Sequence, residues 1–365
     1  MPSDTTASVA SRLAPVFSQR VATWQATHGR SQLPWQNTRD PYRVWLSEVM
    51  LQQTQVSTVL GYFDRFLTRF PDVAALAKAN EDEVFALWSG LGYYSRARNM
   101  HRCAQEVMSR FDGAFPRTAV ELESLPGIGR STASAVSAFC FGERVAILDG
   151  NVKRVLTRVL GFADDLSTSA TERRLWDLAT ALLPPADEPE VIARYTQGQM
   201  DLGATVCTPR KPDCLICPVD DLCVARREGE PERYPVKTRK LKRTSESLWM
   251  LQAIDASGRV WLEKRPERGI WAGLYCLPVF DSRAALVAAL PPGSEGLHDA
   301  APFLHVLTHK DLHLHPVIVQ SDGAFALSDQ GRWAGVLDWP SLGLPAPVRK
   351  LLLSLEAGQA ASSSR

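Results

Sequence analysis

Four cysteines fall within one short stretch, Cys207, Cys214, Cys217 and Cys223, spaced C-x6-C-x2-C-x5-C directly after a predicted helix. Thiolates that close can surround one metal centre, and a chain that gathers them must fold the residues between into a tight loop. Structural zinc sites usually carry two short C-x2-C pairs, and this segment has one, so the spacing favours an iron–sulfur cluster while zinc and disulfides stay open. With all four positions taken by thiolates no coordination site would remain for chemistry. The simplest role is then to staple a loop that brings Arg210 and Lys211 to phosphates. Cys103, Cys140 and Cys276 stand in apolar contexts and read as buried small hydrophobes.

The chain has 365 residues, more than one hydrophobic core usually serves, so two or three domains are expected. No apolar run approaches the roughly 20 residues of a membrane-spanning helix, and no membrane association is expected. Met1 to Arg12 is polar, without the basic start and apolar centre of a secretory signal, so a cytoplasmic location with reduced cysteines is expected. The net charge of +1 is silent about nucleic acid, because a basic face can coexist with an acidic remainder. The stretch Arg226 to Arg243, RREGEPERYPVKTRKLKR, is locally basic and interrupted by Pro231 and Pro235; it reads as an interdomain linker that can also meet phosphates.

Up to about Ala225 the apolar residues recur at three- and four-residue spacing, which predicts an all-α region. Val9 to His28 gives a first helix; Asp40-Pro41 supplies an N-cap and first-turn proline for a second, reaching Val56 with Glu48 in its interior. Further helices are expected at Asp72–Ala77, Glu81–Ser89, Arg96–Arg110, Ala119–Ser124, Arg130–Phe141, Val152–Leu160, Ser169–Leu183 and Val191–Leu202. Beyond the linker, SLWMLQAID, GRVWLEKRP, LHLHPVIVQ and AFALSD alternate as strands do, with turns at Ser257-Gly258 and Asp322-Gly323. Val348 to Glu356 predicts a closing helix. The organisation expected is therefore 1–225 all-α, including the cysteine loop at 207–223; a linker at 226–244; an α+β domain at 245–356; and a disordered tail at 357–365.

Leu125-Pro126-Gly127-Ile128-Gly129 lies between two predicted helices. Two glycines two apart let a tight turn present N–H groups beside a helix N-terminus, a natural phosphate seat and a helix-hairpin-helix pattern. Shortly after it, Leu148-Asp149-Gly150-Asn151-Val152-Lys153-Arg154 puts an aspartate at the start of another helix, where it is either an N-cap or a carboxylate exposed at a cleft.

Seven segments in this order resemble the MutY-type adenine DNA glycosylases: LPWQ at Leu33–Gln36, WLSEVMLQQTQV at Trp45–Val56, GLGYYSRARN at Gly90–Asn99, LPGIGRSTA at Leu125–Ala133, ILDGNVKRV at Ile147–Val155, MDLGATVC at Met200–Cys207 and the four-cysteine loop. The resemblance implies a [4Fe–4S] cluster on Cys207, Cys214, Cys217 and Cys223. It implies Glu48 as general acid and Asp149 as the carboxylate facing a positively charged sugar. Departure of adenine builds cationic character on the deoxyribose and negative charge on the base, so one carboxyl must carry a proton and the other must not. The apolar helix around Glu48 favours the protonated form and helix N–H groups favour ionised Asp149. Because adenine is inaccessible inside a stacked duplex, it must be extruded. The resemblance names Gln52, Leu91 and Tyr93 as wedge residues and Gln197 as a pocket residue; Gly127, Gly129, Lys153, Arg210 and Lys211 are expected towards phosphates. Ser131 stands where bifunctional relatives such as endonuclease III carry a Schiff-base lysine, which implies hydrolysis to an abasic site.

Residues from about Ser245 to Glu356 resemble the MutT-related, Nudix-like C-terminal domain of the same family, notably EKRPERGIWAGLYCLPVF at Glu263–Phe280. A working Nudix hydrolase needs helical glutamates to hold Mg²⁺, and DSRAALVAALPPG after Phe280 has none. The domain is therefore expected to recognise 8-oxoguanine through Leu307, Thr308 and His309, where family members commonly carry phenylalanine, serine and histidine. The expected fold is thus an all-α helix-hairpin-helix glycosylase domain with a cluster loop, followed by an α+β Nudix-like domain. The expected partner is double-stranded DNA with adenine opposite 8-oxoguanine or guanine, bound by a monomer associated with the nucleoid. His305, His309, His313 and His315 read as surface and pocket residues of a strand, not as metal ligands.

Overall fold

The computed structural model describes residues 3–184, 188–238, 242–290, 296–321 and 327–363. The first part of the chain is helical: α1 (Ser3–His28), α2 (Pro41–Leu51), α3 (Val56–Arg69), α4 (Val73–Lys78), α5 (Glu81–Trp88), α6 (Tyr94–Phe111), α7 (Ala119–Glu123), α8 (Arg130–Phe141), α9 (Gly150–Leu160), α10 (Ser169–Ala181), α11 (Pro189–Thr205) and α12 (Val224–Glu228). The strands follow: β1 (Thr244–Asp255), β2 (Val260–Lys264), β3 (Tyr275–Cys276), β4 (Val279–Phe280), then α13 (Arg283–Ala288), β5 (His298–Asp299), β6 (Phe303–Val306), β7 (Lys310–Ser321), β8 (Gly331–Ala334) and α14 (Ala346–Ser363). Among the described residues no helix is long and apolar enough to cross a membrane.

Two compact units emerge. The first comprises Met1–Gln53, Asp72–Ala74 and Arg102–Lys240. Its core gathers Phe17 and Val21 of α1, Val155, Leu156 and Val159 of α9, Leu175 and Leu178 of α10, and Tyr195 and Leu202 of α11. Phe17 meets Tyr195 edge to face, with centroids 6.0 Å apart. Asp40 caps α2 by accepting from the Tyr42 amide at 2.9 Å, and Pro41 takes the first helical position, as the sequence led us to expect.

The second unit comprises Thr54–Pro71, Ala75–His101 and Leu241–Arg365, so α3 and α5 belong with the C-terminal sheet and not with the rest of the helical region. Its sheet runs β3-β2-β1-β7-β5, with β4 on β1, β6 on β7 and β8 on β2. The long central pair β1 and β7 is parallel, in register from Thr244 opposite Lys310 to Asp255 opposite Ser321. One face packs Leu248, Met250, Leu262, Leu312 and Leu314 against Trp339, Val348 and Leu352; the other packs Leu251, Ala253, Val317 and Val319 against Leu286. Both faces of this sheet are buried, which accounts for the near-continuous apolar run of β1.

Several expectations need correction. The helix read as continuing to Val56 stops at Leu51, because Gln53 adopts φ 56° and breaks the ladder. A separate α3 follows, outside the helices the sequence spacing predicts, although Val59, Phe63 and Phe66 are buried at helical spacing. The segment read as a linker is folded as far as Thr238: Tyr234 is buried, its carbonyl accepts from Arg158 Nε at 3.3 Å, and the Leu166 amide donates to the Val236 carbonyl at 3.0 Å. Of AFALSD, residues 324–326 and the expected turn at Asp322-Gly323 lie outside the described residues. Leu327–Asp329 are not strand, and the strand is β8 at Gly331–Ala334. The closing helix runs to Ser363, into the tail expected to be disordered.

Candidate active site

Glu48 lies on α2 with Trp45, Leu46 and Val49 buried around it. Trp45 packs against Phe115 at 5.3 Å, and the helix turns Glu48 onto a cavity of about 400 Å³ that Trp35, Gln36, Ser47, Arg194 and Gln197 also line. That volume is within the range of small-molecule sites. Burial, and then the neighbouring Asp149 carboxylate, push the Glu48 carboxyl up to about 8 from its ordinary 4.5.

Asp149 caps α9 by accepting from the Val152 amide at 2.7 Å. Ser131, the first-turn serine of α8, accepts from the Leu148 amide at 3.2 Å and so fixes the chain entering that cap. Burial raises the Asp149 carboxyl, against the backbone N–H groups of Val152 and Asn151 and the charges of Arg154 and Lys153, which lower it. The shift is upward because desolvation is the larger contribution. Asp149 is close enough for its charge to act on Glu48, but it does not line the Glu48 cavity.

Behind the cavity stands a group that the sequence reading passed over. Asp201 is fully buried on α11 and takes Arg30 in an ion pair at 2.8 Å. The same carboxylate accepts from Gln36 Nε2 at 3.2 Å and from Gln197 Nε2 at 3.0 Å. Holding both amide nitrogens fixes which way each glutamine faces, and Gln36 Oε1 is left buried with no hydrogen-bond partner among the described residues. MDLG contained Asp201, but a helical carboxylate gives no sign in sequence of which glutamines it will reach. Two positions on, Gly203 lets α11 meet α9: a Cβ there would stand 2.6 Å from Asn151 Cβ and 3.0 Å from its Cα.

The hairpin between α7 and α8 has the expected form. Leu125 and Ile128 are buried, while Gly127, at φ 74°, and Gly129 are exposed. Gly129 caps α8 without a side chain, which leaves the first-turn amides open to an anion. Lys153 is ion-paired with Glu172 instead of standing free for phosphate. Arg210 and Lys211 are exposed, and the loop is shaped by Glu232, which accepts from the Lys211 amide at 2.8 Å.

Cys207, Cys214, Cys217 and Cys223 are free thiols lining one small cavity, which does not support the disulfide alternative. Among the described residues no three or more His, Cys, Asp or Glu side chains are arranged as a metal-holding group, the histidines of β6 and β7 included. The donor set nevertheless suits a cationic centre. Burial and the neighbouring thiols push Cys217 up to about 12, an arrangement that resists ionisation until a positive charge enters. Buried Arg158 frames the loop, donating to Cys207 Sγ at 3.3 Å, the Thr208 carbonyl at 2.7 Å and the Pro209 carbonyl at 3.2 Å.

The remaining candidates meet in the second unit. Leu91, Tyr93, His305, Leu307, Thr308 and His309 line one cavity of about 820 Å³. Tyr93 is 44% exposed and its hydroxyl bonds the Thr308 hydroxyl, whereas Leu91 is only 6% exposed and does not project as the wedge reading supposed. Thr308 and His309 are exposed; Leu307 packs against the sheet core, its carbonyl accepting from Arg243 at 3.1 Å. His315 stacks on Trp249 with centroids 4.5 Å apart. Gln52, the C-cap of α2, is half-buried.

Residues 46–181 match the HhH-GPD superfamily of base excision DNA repair proteins, and residues 249–354 match the NUDIX domain. An adenine DNA glycosylase of Buchnera aphidicola is 35% identical over 92% of this chain and 97% of its own. The adenine DNA glycosylase of Homo sapiens is 42% identical over 60% of this chain and 40% of its own. Among solved structures, a thermostable thymine-DNA glycosylase superposes with a TM-score of 0.52 at 27% identity, over 62% of this chain and all of that one. The near full-length correspondence, joined to the hairpin, the carboxylate pair and the C-terminal sheet, establishes that the chain belongs to the adenine DNA glycosylase family.

Proposed function

We propose that this adenine DNA glycosylase removes adenine opposite 8-oxoguanine, and opposite guanine, by simple hydrolysis that leaves an abasic site. The observation that carries the reading is the half-buried carboxyl of Glu48, pushed up to about 8 at the edge of a cavity and within reach of the Asp149 charge. Protonated Glu48 gives its proton to the departing base. Asp149, with the Val152 amide and nearby cations favouring its ionised form, faces the positive charge that grows on the sugar. Ser131 has no amine with which to form a Schiff base, and Lys153 is held by Glu172. Gln197 contributes to the adenine pocket; Gln52 and Tyr93 open the duplex; Gly127, Gly129, Arg210 and Lys211 meet phosphates.

Cys207, Cys214, Cys217 and Cys223 would hold a [4Fe–4S] cluster whose contribution is to fix the loop bearing Arg210 and Lys211. Leu307, Thr308 and His309 read the oxidised guanine, with the threonine hydroxyl as donor and acceptor. The protein acts as a monomer on duplex DNA, in the cytoplasm with the nucleoid. Duplexes carrying adenine opposite 8-oxoguanine, guanine and thymine test this directly. Alkali-dependent cleavage in the first two and none in the third is expected; cleavage without alkali would refute simple hydrolysis.

A further inference from the structure

The loop between α5 and α6 is held in a shape that its own backbone does not favour. Gly90, Gly92 and Tyr93 have φ of 106°, 70° and 48°, and a tyrosine keeps to the left-handed region only where its surroundings over-determine it. One guanidinium lies at the centre of those surroundings. Arg96 Nη2 donates to the Leu91 carbonyl at 3.1 Å, the Gly92 carbonyl at 3.3 Å and Thr54 Oγ1 at 3.3 Å. Its charge lies 5.2 Å from the centre of the Trp88 ring and 5.5 Å from that of Tyr93. Trp88 Nε1 adds a bond to the Gly92 carbonyl at 2.9 Å, and the Arg96 amide donates to the Tyr93 carbonyl at 2.9 Å. Burial lowers the guanidinium to about 10, which still leaves it charged at neutral pH. All of this converges on an exposed aromatic ring whose hydroxyl reaches Thr308.

We propose that Arg96 is a positioning residue for base extrusion: it locks the Gly90–Tyr93 loop so that the Tyr93 ring stands ready to enter the stack, and it acts before the glycosidic bond is touched. The inference rests on the wedge reading of Tyr93. Without the guanidinium the inward-turned carbonyls lose their shared donor, Tyr93 relaxes from its left-handed conformation, and opening a stacked pair must carry the cost of ordering the loop.

Single-turnover excision separates this from a general folding defect. Two duplexes are compared, one with adenine in an intact stack opposite 8-oxoguanine and one in which abasic analogues flank the same adenine and weaken its stacking. Arg96→Met is expected to slow excision at least 20-fold on the intact duplex and by less than threefold on the loosened one, with Arg96→Lys between the Met variant and the unaltered protein on the intact duplex. Equal losses on both duplexes, or no loss on the intact one, would overturn the proposal. If the Met variant melts below the assay temperature, Arg96→Lys decides by the same ratio. Tyr93→Ala separates the two ideas: a Tyr93→Ala protein as fast as the unaltered one on the intact duplex removes the wedge reading itself, whereas a slow Tyr93→Ala beside a fast Arg96→Met removes only Arg96.

Discussion

At the scale of single residues, the role proposed for Glu48 ties pH to both rate and stability, with the sign set by its upward shift. A general acid whose pKa is about 8 is loaded at neutral pH, so the single-turnover rate should be near its plateau at pH 7, about half of it at pH 8, and fall roughly tenfold per pH unit above about 9. Because the folded protein holds this proton more tightly than the unfolded chain, the associated stabilisation is complete below 4.5 and is lost as pH rises through 8. Glu48→Gln should therefore abolish excision, largely spare DNA binding and raise the unfolding free energy at pH 7 by on the order of 2–3 kcal/mol. A denaturant titration of the variant that showed no gain would argue against a buried, proton-holding glutamate. Asp149 allows cap and charge to be separated. Asparagine keeps an oxygen for the Val152 amide, so Asp149→Asn should melt close to the unaltered protein while losing roughly 100-fold to 1000-fold in rate; Asp149→Ala should lose the cap as well, about 1 kcal/mol. Glu48 and Asp149 were singled out in the sequence because the segments around them carry the family resemblance. Arg96, Gln36 and Asp201 were not, because what matters about them is which distant carbonyl, amide or carboxylate they reach.

Between elements, the close approach of α11 to α9 is set by the absent side chain of Gly203. Its neighbour Asn151 lies two positions beyond Asp149, so any widening of that contact displaces the α9 N-terminus and the carboxylate capping it. Gly203→Ala should cost about 1–3 kcal/mol in stability and at least tenfold in single-turnover rate, the two measured by urea unfolding and excision at one temperature. A variant that is less stable but equally fast would mean that the contact serves packing alone. Helix starts such as Asp40-Pro41 could be read in advance because capping chemistry is local, whereas the break after Leu51 could not: Gln53 is an ordinary residue in a left-handed conformation that only its surroundings impose.

For the molecule as a whole, the change of texture near residue 244 correctly separated helices from sheet but misplaced where compact units divide. Residues 54–71 and 75–101 resemble the rest of the helical region in sequence, yet they cluster with the sheet. Named contacts explain why: Lys264 pairs with Asp82 at 2.8 Å, the Tyr94 hydroxyl donates to the Leu344 carbonyl at 2.8 Å, and Arg349 donates to Ser89 at 3.0 Å. Contacts of such long sequence separation leave no periodic trace in the chain, so helical pattern alone could not reveal them. They have a consequence for truncation. A protein ending at Thr238 should retain the Glu48 cavity, since its lining falls within the first unit, but should lose the partners that order Ser89 to Arg98. Amide exchange over residues 89–98 is then expected to accelerate at least tenfold, while exchange across α9 and α11 changes little. The preference for adenine opposite 8-oxoguanine over adenine opposite guanine should fall as well, because the shortened chain lacks Leu307, Thr308 and His309, the residues proposed to read the oxidised guanine, and Tyr93 loses the Thr308 hydroxyl. Unchanged protection of residues 89–98 in the shortened chain would mean that the sheet covers this loop without ordering it, and lesion preference would then have to come from the remaining contacts to the base.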